Sequence, residues 1–475
     1  MEDLLSKKRF HLIGIGGIGM SGLAHLLLRQ GYTVSGSDAK ESEVTRRLRE
    51  EGAEIHIGHQ KDHVKGAEVV VYSSAVRREN PERSEAMERN LSILSRGELL
   101  ALLFRKKEIR IAITGSHGKT TTTALAAWLF HRAGYDPSYL IGGISHNLGG
   151  NAEEGRGNSF VTEADESDGS FLFLSPTHAI VTNMDAEHLD YYGTHEKSLE
   201  AYAAFLEKTE KGGTLLVSAD CPHTPKALKR LGERPVLSFG FSRPADYLPD
   251  AIVRSGEGSQ FDCLRQGKKL AAFQLNLPGL HNISNALSVI ALGCELGIPI
   301  PVIQETLKSF QGVERRLEVK HNFPALTIIE DYAHHPAEIE ATLEALRGSV
   351  DGRRIVGGFQ PHRYTRTKLL SHRFGNCFQK IDFLIITDIY AASEAPIPGI
   401  SAETLLEEVR RVGCNKELLF LPKKDIATRL LDILRPKDIL LVMGAGDVTE
   451  VTEEMSVLCR QGDLPWIYNR SSETV

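Results

Sequence analysis

Residues 109–123 read Ile-Arg-Ile-Ala-Ile-Thr-Gly-Ser-His-Gly-Lys-Thr-Thr-Thr-Thr. An apolar strand, Ile109 to Ile113, runs into a turn bounded by glycines and then into a helical run from Ala124 to His131. Gly115 and Gly118 let the turn tighten so that successive N–H groups face inward, and the helix that follows presents its positive end to an anion. Lys119 adds a point charge for terminal phosphates, and the Thr120 hydroxyl is placed to ligate the magnesium that accompanies them. The strict phosphate-loop pattern has a glycine where this chain has Ile113, so the loop is a shortened Gly-x-x-Gly-Lys-Thr form. Gly115, Ser116, His117, Gly118, Lys119, Thr120 and Thr121 form the expected grip on ATP or GTP.

A second glycine cluster lies upstream. Gly14, Gly16, Gly17 and Gly19 follow the strand Phe10 to Ile13 and open a helix through Ala24 to Arg29, and a further strand ends at Ser37 and Asp38. This is a Gly-x-Gly-x-x-Gly arrangement with an acid about twenty residues on. Taken alone, it points to an NAD-dependent oxidoreductase. Taken with the Lys119 loop, it says that two pyrophosphate-bearing molecules bind one chain. The fingerprint registers backbone approach to a pyrophosphate, so a nucleotide-linked substrate satisfies it as well as a coenzyme does.

At 475 residues the chain exceeds one core, and a prior of one domain per ~150 residues suggests about three. Alternating strands and helices imply an α/β protein with parallel sheets. The divisions expected are 1–107, a Rossmann-like N-terminal domain; 108–311, a central P-loop ATPase-type domain; and 312–475, a Rossmann-like C-terminal domain. Strands are expected at Thr33 to Ser37, Glu68 to Ser73, Ser159 to Glu163, His178 to Thr182 and Thr214 to Ser218. Others are expected at Leu326 to Ile329, Arg354 to Phe359, Phe383 to Thr387 and Ile439 to Met443, with a helix from Ile283 to Leu296. Residues 232–273 look like an antiparallel excursion.

The net charge of −6 leaves no basic excess to recruit nucleic acid. Acids at the N-terminus and the lack of an ~18-residue apolar run predict a cytoplasmic protein without a membrane partner. The six cysteines form no Cys-x-x-Cys pair and read as reduced structural thiols.

Glu163-Ala164-Asp165-Glu166-Ser167-Asp168 falls at a strand end, where ligands of open α/β sheets collect. So many carboxylates cannot all be buried unpaired, and a cation is the natural partner. His188, ringed by Asp185, Glu187 and Asp190 after the next strand, can supply a nitrogen ligand to a second metal.

The Gly115–Thr120 loop, the Glu163–Asp168 turn, His281-Asn282-x-x-Asn285, Asp331-Tyr332-Ala333-His334-His335-Pro336 and Gln360-Pro361-His362-Arg363-Tyr364-Thr365-Arg366 occur in an order that resembles the Mur ligases of peptidoglycan synthesis. The resemblance spans Gly14 to Gly446 and implies an ATP-dependent carboxylate–amine ligase. It implies UDP-N-acetylmuramate, L-alanine and ATP as substrates, two Mg2+ ions, and a monomer or homodimer. Gly14, Gly16, Gly17 and Gly19, with Ser37, Asp38 and Ser74, would hold the UDP-sugar. Thr120 and Glu163 would hold one magnesium and His188 the second, with Lys119 on the γ-phosphate. His281, Asn282 and Asn285 would contact adenine, Arg315 and Arg316 would stand near the phosphates, and Asp331 would contact ATP. Tyr332, His335, Arg363 and Arg366 would surround the amino acid, and Lys119, Glu163, His188 and Arg363 would carry catalysis. A family member that recycles murein tripeptide is the alternative, but its acidic motif typically has tyrosine where this chain has Ser167. The chain also has Ser393 where relatives often have glycine, which disfavours any positive φ at that point.

Overall fold

The computed structural model describes residues 2–255, 258–350, 352–392, 394–412 and 417–467, so Ser393 and Cys414 lie outside the described residues. The chain divides into two compact units, one formed by most of the chain up to Val313 and the other by the chain from Glu314 together with two short stretches around 254–259 and 277–280.

The first unit holds two sheets. One is parallel throughout and contains β1 (Arg9–Ile13), β2 (Thr33–Asp38), β3 (Glu54–Ile57), β4 (Val69–Tyr72) and β5 (Ser92–Ser95), in the order β3-β2-β1-β4-β5. Its helices are α1 (Ile18–Arg29), α2 (Glu43–Glu50), α3 (Pro81–Glu88) and α4 (Arg96–Phe104). Strand order reverses between β1 and β4, and at such a switch point an α/β sheet opens a crevice beyond its strand ends. The loop Gly14–Gly17 joins β1 to α1 there.

The second sheet contains β6 (Ile109–Thr114), β7 (Ser138–Ser145), β8 (Gly150–Glu153), β9 (Ser159–Glu163), β10 (His178–Val181), β11 (Thr214–Ser218), β12 (Leu237–Phe239), β13 (Tyr247–Ser255), β14 (Gly258–Arg265) and β15 (Lys268–Leu275). Their order is β15-β14-β13-β12-β11-β10-β6-β9-β7-β8, with β6 parallel to both β10 and β9. Helix α5 (Lys119–Arg132) leaves the end of β6. It begins earlier than the Ala124 start expected from sequence because Thr120 to Thr123 are all buried; tertiary packing overrides the weak helix preference of β-branched residues. Residues 232–273 do form added strands, but β12 pairs with β13 in parallel, through Phe239 and Tyr247, so the excursion is not antiparallel throughout. One apolar core joins residues of both sheets, from Phe10, Leu12 and Val71 to Phe160, Phe171 and Phe205.

The second unit holds β16 (Glu318–Phe323), β17 (Leu326–Asp331), β18 (Ile355–Phe359), β19 (Phe383–Ile386), β20 (Glu417–Phe420) and β21 (Asp438–Met443). Their order is β16-β17-β21-β18-β19-β20; β16 is antiparallel to β17 and the other pairs are parallel. β17, β18, β19 and β21 are mostly apolar and buried along their whole length, as expected for parallel strands covered on both faces. Among the described residues, no helix is long and apolar enough to cross a membrane.

Candidate active site

The turn between β6 and α5 is held from the neighbouring strand β10. Ser116 N donates to Asn183 O at 3.3 Å, His117 N to Asn183 Oδ1 at 2.9 Å, and Asn183 Nδ2 returns a bond to His117 O at 2.9 Å. Asp185 N donates to Ser116 Oγ at 2.8 Å. Gly115 has φ +134°, and a Cβ there would lie 2.1 Å from Thr182 Oγ1. Gly118 caps α5 with φ +81°, and a Cβ there would lie 2.5 Å from Asn285 Oδ1. These glycines are therefore required by both backbone conformation and contact. Asn285 Nδ2 donates to Asn282 Oδ1 at 3.3 Å, and Thr120 and Thr121 are buried in the first turn of α5. Thr182 and Asn183 were not among the expected site residues; their signal was only that they lie at the end of the strand paired with β6.

β9, on the other side of β6, delivers the acidic turn. Lys119 Nζ lies 2.9 Å from Glu166 Oε1 and donates to the carbonyls of Gly115 and Ser116. Burial works to discharge Lys119, yet the carboxylates of Glu166, Glu163 and Asp165 outweigh it and hold its pKa above the ordinary lysine value. Burial likewise opposes ionisation of Asp165, but Arg96 and Lys119 hold its pKa at about 2. His188, in a left-handed backbone conformation at φ +54°, places Nε2 3.4 Å from Glu166 Oε1 and 3.7 Å from Glu187 Oε2. Burial disfavours its charged form, but the hydrogen bond with Glu166 wins and raises its pKa.

Glu166, Glu187 and His188 bring ligand atoms within 4.8 Å of one another. Glu166 Oε2 is buried and, among the described residues, has no hydrogen-bond partner. An oxygen-rich set with an unsatisfied carboxylate oxygen fits a hard divalent cation. Glu163 sits to one side, where Gly142 N donates to its Oε2 at 3.0 Å. A Cβ on Gly142 would meet that carboxylate at 2.4 Å, and one on Gly143 would lie 3.3 Å from Thr120 Cγ2. The glycines of β7 therefore leave room for Glu163 and Thr120 together, while Glu166 and Glu187 join His188 in a cluster that the sequence expectations did not include as metal ligands.

At the N-terminal loop, Gly14 has φ +79° and Gly17 is the N-cap of α1. Asp38 accepts from Gly16 N at 2.9 Å, so this acid braces the loop itself. Ser37 is fully buried, its hydroxyl donating to the buried carboxylate of Glu82, whereas Ser74 is exposed. Gly19, in the first turn of α1, packs against the guanidinium of Arg96.

In the second unit, Asp331 ends β17 and accepts from Ala333 N and Leu317 N, both at 2.7 Å. Burial pushes its pKa up to about 6, against the pull of Arg316. Tyr332 carries Arg315 and Arg316 over its ring, at 4.9 and 5.2 Å from the centroid. Arg315 donates to the carbonyls of Gly444 and Gly446 beyond β21, and Arg316 lies 3.7 Å from Glu338. His335 is buried at the N-cap of the helix Pro336–Arg347. The loop after β18 places Arg366 Nη1 3.0 Å from His362 Nδ1, and His362 stacks on Tyr390. Burial, with Arg366 and Arg363 beside it, depresses the His362 pKa to about 3. Arg363 has φ +71° and ψ 138°, a strained conformation for any residue with a Cβ. β17 and β18 flank β21 and run parallel to it, so the Asp331 and Arg363 loops emerge at the same end of the sheet, one strand apart.

Residues 9–108 match the Mur ligase family catalytic domain, 113–293 the Mur ligase middle domain and 315–446 the Mur ligase glutamate ligase domain; the chain belongs to the Mur ligase family. Curated relatives that it resembles are named UDP-N-acetylmuramate–L-alanine ligases. One from Anaeromyxobacter sp. (strain Fw109-5) is 46% identical over 447 residues, 94% of this chain and 97% of the relative. Another, from Sorangium cellulosum (strain So ce56), is 46% identical over 443 residues, 93% and 94% of the two chains. The solved UDP-N-acetylmuramate–alanine ligase of Thermotoga maritima superposes with a TM-score of 0.82 at 29% identity, covering 96% of this chain and all of the other. A murein peptide ligase of Psychrobacter arcticus shares the fold, with a TM-score of 0.72 at 23% identity over 95% and 98% of the chains.

Proposed function

We propose that this chain uses ATP to join L-alanine to the lactyl carboxylate of UDP-N-acetylmuramate, placing the first amino acid of the peptidoglycan stem peptide. The observation that carries this reading is one compact unit with two glycine turns, one of them lined by the buried Lys119–Glu166 pair. The full-length relatives support the choice of substrates. The working divisions are 1–107 for the UDP-sugar, 108–311 for ATP and 312–475 for the amino acid. The enzyme is cytoplasmic, acts as a monomer or homodimer, and has no nucleic-acid or membrane partner.

Gly14, Gly16, Gly17 and Gly19 cradle the diphosphate of the sugar nucleotide, with Asp38 holding the loop open by its bond to Gly16. Gly115 to Thr121 wrap the triphosphate, and His281, Asn282 and Asn285 line the adenine side. Thr120 and Glu163 would hold one Mg2+ and His188 the second, with Glu166 and Glu187 close to His188. When bound, the ions offset the repulsion between two anions. A lactyl carboxylate oxygen attacks the γ-phosphorus, the bond to ADP breaks, and an acyl phosphate forms. Lys119, held charged by its carboxylate neighbours, stabilises the transferring group. Arg363 and Arg366 fork the carboxylate of L-alanine between Tyr332 and His335. Its amine then attacks the acyl carbon, and phosphate leaves from the tetrahedral intermediate.

The test is phosphate release with ATP, UDP-N-acetylmuramate and L-alanine omitted in turn. Full release requires all three, and release that ignores the sugar nucleotide overturns the proposal. An absorbance change on mixing with NADH would instead favour an oxidoreductase built on Gly14 to Gly19.

A further inference from the structure

Arg96 belongs to neither glycine turn, yet it touches the end of one, at Gly19, and the acidic turn that pairs with the lysine of the other. It is the first residue of α4, and its backbone is fixed by a capping box: Ser95 N donates to Glu98 Oε2 at 2.7 Å, and Glu98 N donates to Ser95 Oγ at 3.3 Å. Its Nη2 lies 2.8 Å from Asp165 Oδ2, 3.5 Å from Asp168 Oδ2 and 3.3 Å from Ser170 Oγ. Asp165 adjoins Glu166, the partner of Lys119. On its other side, Arg96 Cδ and Nη1 lie 3.2 Å from where a Cβ on Gly19 would stand, in the first turn of α1.

The seam around it is close. A Cβ on Gly97 would meet Ser170 Cβ at 2.5 Å, and one on Gly22 of α1 would meet Leu140 Cδ1 of β7 at 2.2 Å. Asn151 Nδ2 donates to Ile18 O at 2.8 Å, tying β8 to the start of α1. Nη2 meets both carboxylates while Cδ and Nη1 of the same rigid, planar group lie against Gly19; a lysine ammonium has no second nitrogen to span the two sides.

We infer that Arg96 is a positioning residue that sets the placement of the sugar-nucleotide turn relative to the acidic turn beside Lys119, and so the approach of the lactyl carboxylate to the γ-phosphate. The inference rests on the ligase reading. Small misplacements of reacting groups cost catalysis much more than they cost binding. Arg96→Lys keeps the charge and loses the planar group that spans the two sides, and Asp168→Asn removes one of the two carboxylate partners.

The experiment is single-turnover ADP formation by the full-length enzyme with ATP, Mg2+ and UDP-N-acetylmuramate, alongside separate equilibrium titrations of the sugar nucleotide and of ADP. For Arg96→Lys the expected result is ADP formation slowed about tenfold or more, with each dissociation constant within about threefold of the parent. Asp168→Asn shows the same pattern, more weakly. A folded Arg96→Lys that forms ADP at the parent rate overturns the inference, as does one whose loss lies wholly in binding. If Arg96→Lys does not fold, Asp168→Asn decides by the same two criteria. A parent enzyme that forms no ADP from these substrates sinks the ligase reading instead, so the two failures are distinguishable.

Discussion

Replacing Lys119 with methionine removes one half of a buried ion pair and leaves Glu166, whose side chain is 3% exposed, facing His188 alone among nearby cations. Breaking a buried pair from one side costs about 3–5 kcal/mol, and the low end applies because the Lys119 side chain keeps 15% of its exposure. The first unit comprises about 300 residues, and at roughly 2 cal/mol/K of unfolding entropy per residue a loss of about 3 kcal/mol lowers its Tm by about 5 °C. Lys119→Met combined with Glu166→Gln neutralises both partners and regains most of that loss, because no uncompensated charge remains. Neither variant forms ADP, while UDP-N-acetylmuramate binds both nearly as it binds the parent. Scanning calorimetry gives the Tm values, and isothermal titration gives the sugar-nucleotide affinity. Two results would refute the reasoning: a double variant no more stable than Lys119→Met, or loss of sugar-nucleotide binding together with ADP formation.

Gly115→Ala would place a Cβ 2.1 Å from Thr182 Oγ1 and 2.9 Å from backbone atoms of Asn183; ATP-analogue binding is expected to fall sharply while sugar-nucleotide binding persists, as paired titrations can check. Glu82 is buried, and although burial opposes its charge, hydrogen bonds from His11, Ser37 and His63 lower its pKa from 4.5 to about 2. A depressed folded-state value gives stability that is present above the unfolded pKa and lost as pH falls through the folded one. The Tm advantage of the parent over Glu82→Gln should therefore hold at neutral pH and shrink between about pH 4.5 and pH 2; a gap that widens on acidification contradicts this. Arg363→Gly relieves a backbone strained by about 1–3 kcal/mol, so the second unit should melt higher. The same change should raise the KM for L-alanine far more than that for ATP; equal rises, or no gain in Tm, would show that the strain is not tied to amino-acid binding.

The strand–glycine turn–helix units around Gly14 to Gly19 and Gly115 to Lys119 were legible because their signals are local. A turn that must approach a phosphate needs glycine, and the flanking apolar runs are contiguous in the chain. The third domain was legible in outline, since β17, β18, β19 and β21 are mostly apolar segments. Short strands with mixed faces, such as β3 and β16, escaped notice because partial burial leaves no clear period.

Residue chemistry along the chain determined that two strand–glycine turn–helix units and a carboxylate-rich strand end exist; tertiary structure alone decided which groups meet there. Asn183 grips the Lys119 loop because β10 pairs with β6, and Glu166 reaches Lys119 because β9 pairs with β6 on the other side. Ser37, which the resemblance assigns to the sugar nucleotide, donates its hydroxyl to the buried carboxylate of Glu82, 45 residues on in the chain. Arg96 lies far in sequence from both Gly19 and Asp165 and against both in space. Such contacts depend on strand order and register, which arise from packing summed over a whole sheet and leave no mark in the residues next to any one of them.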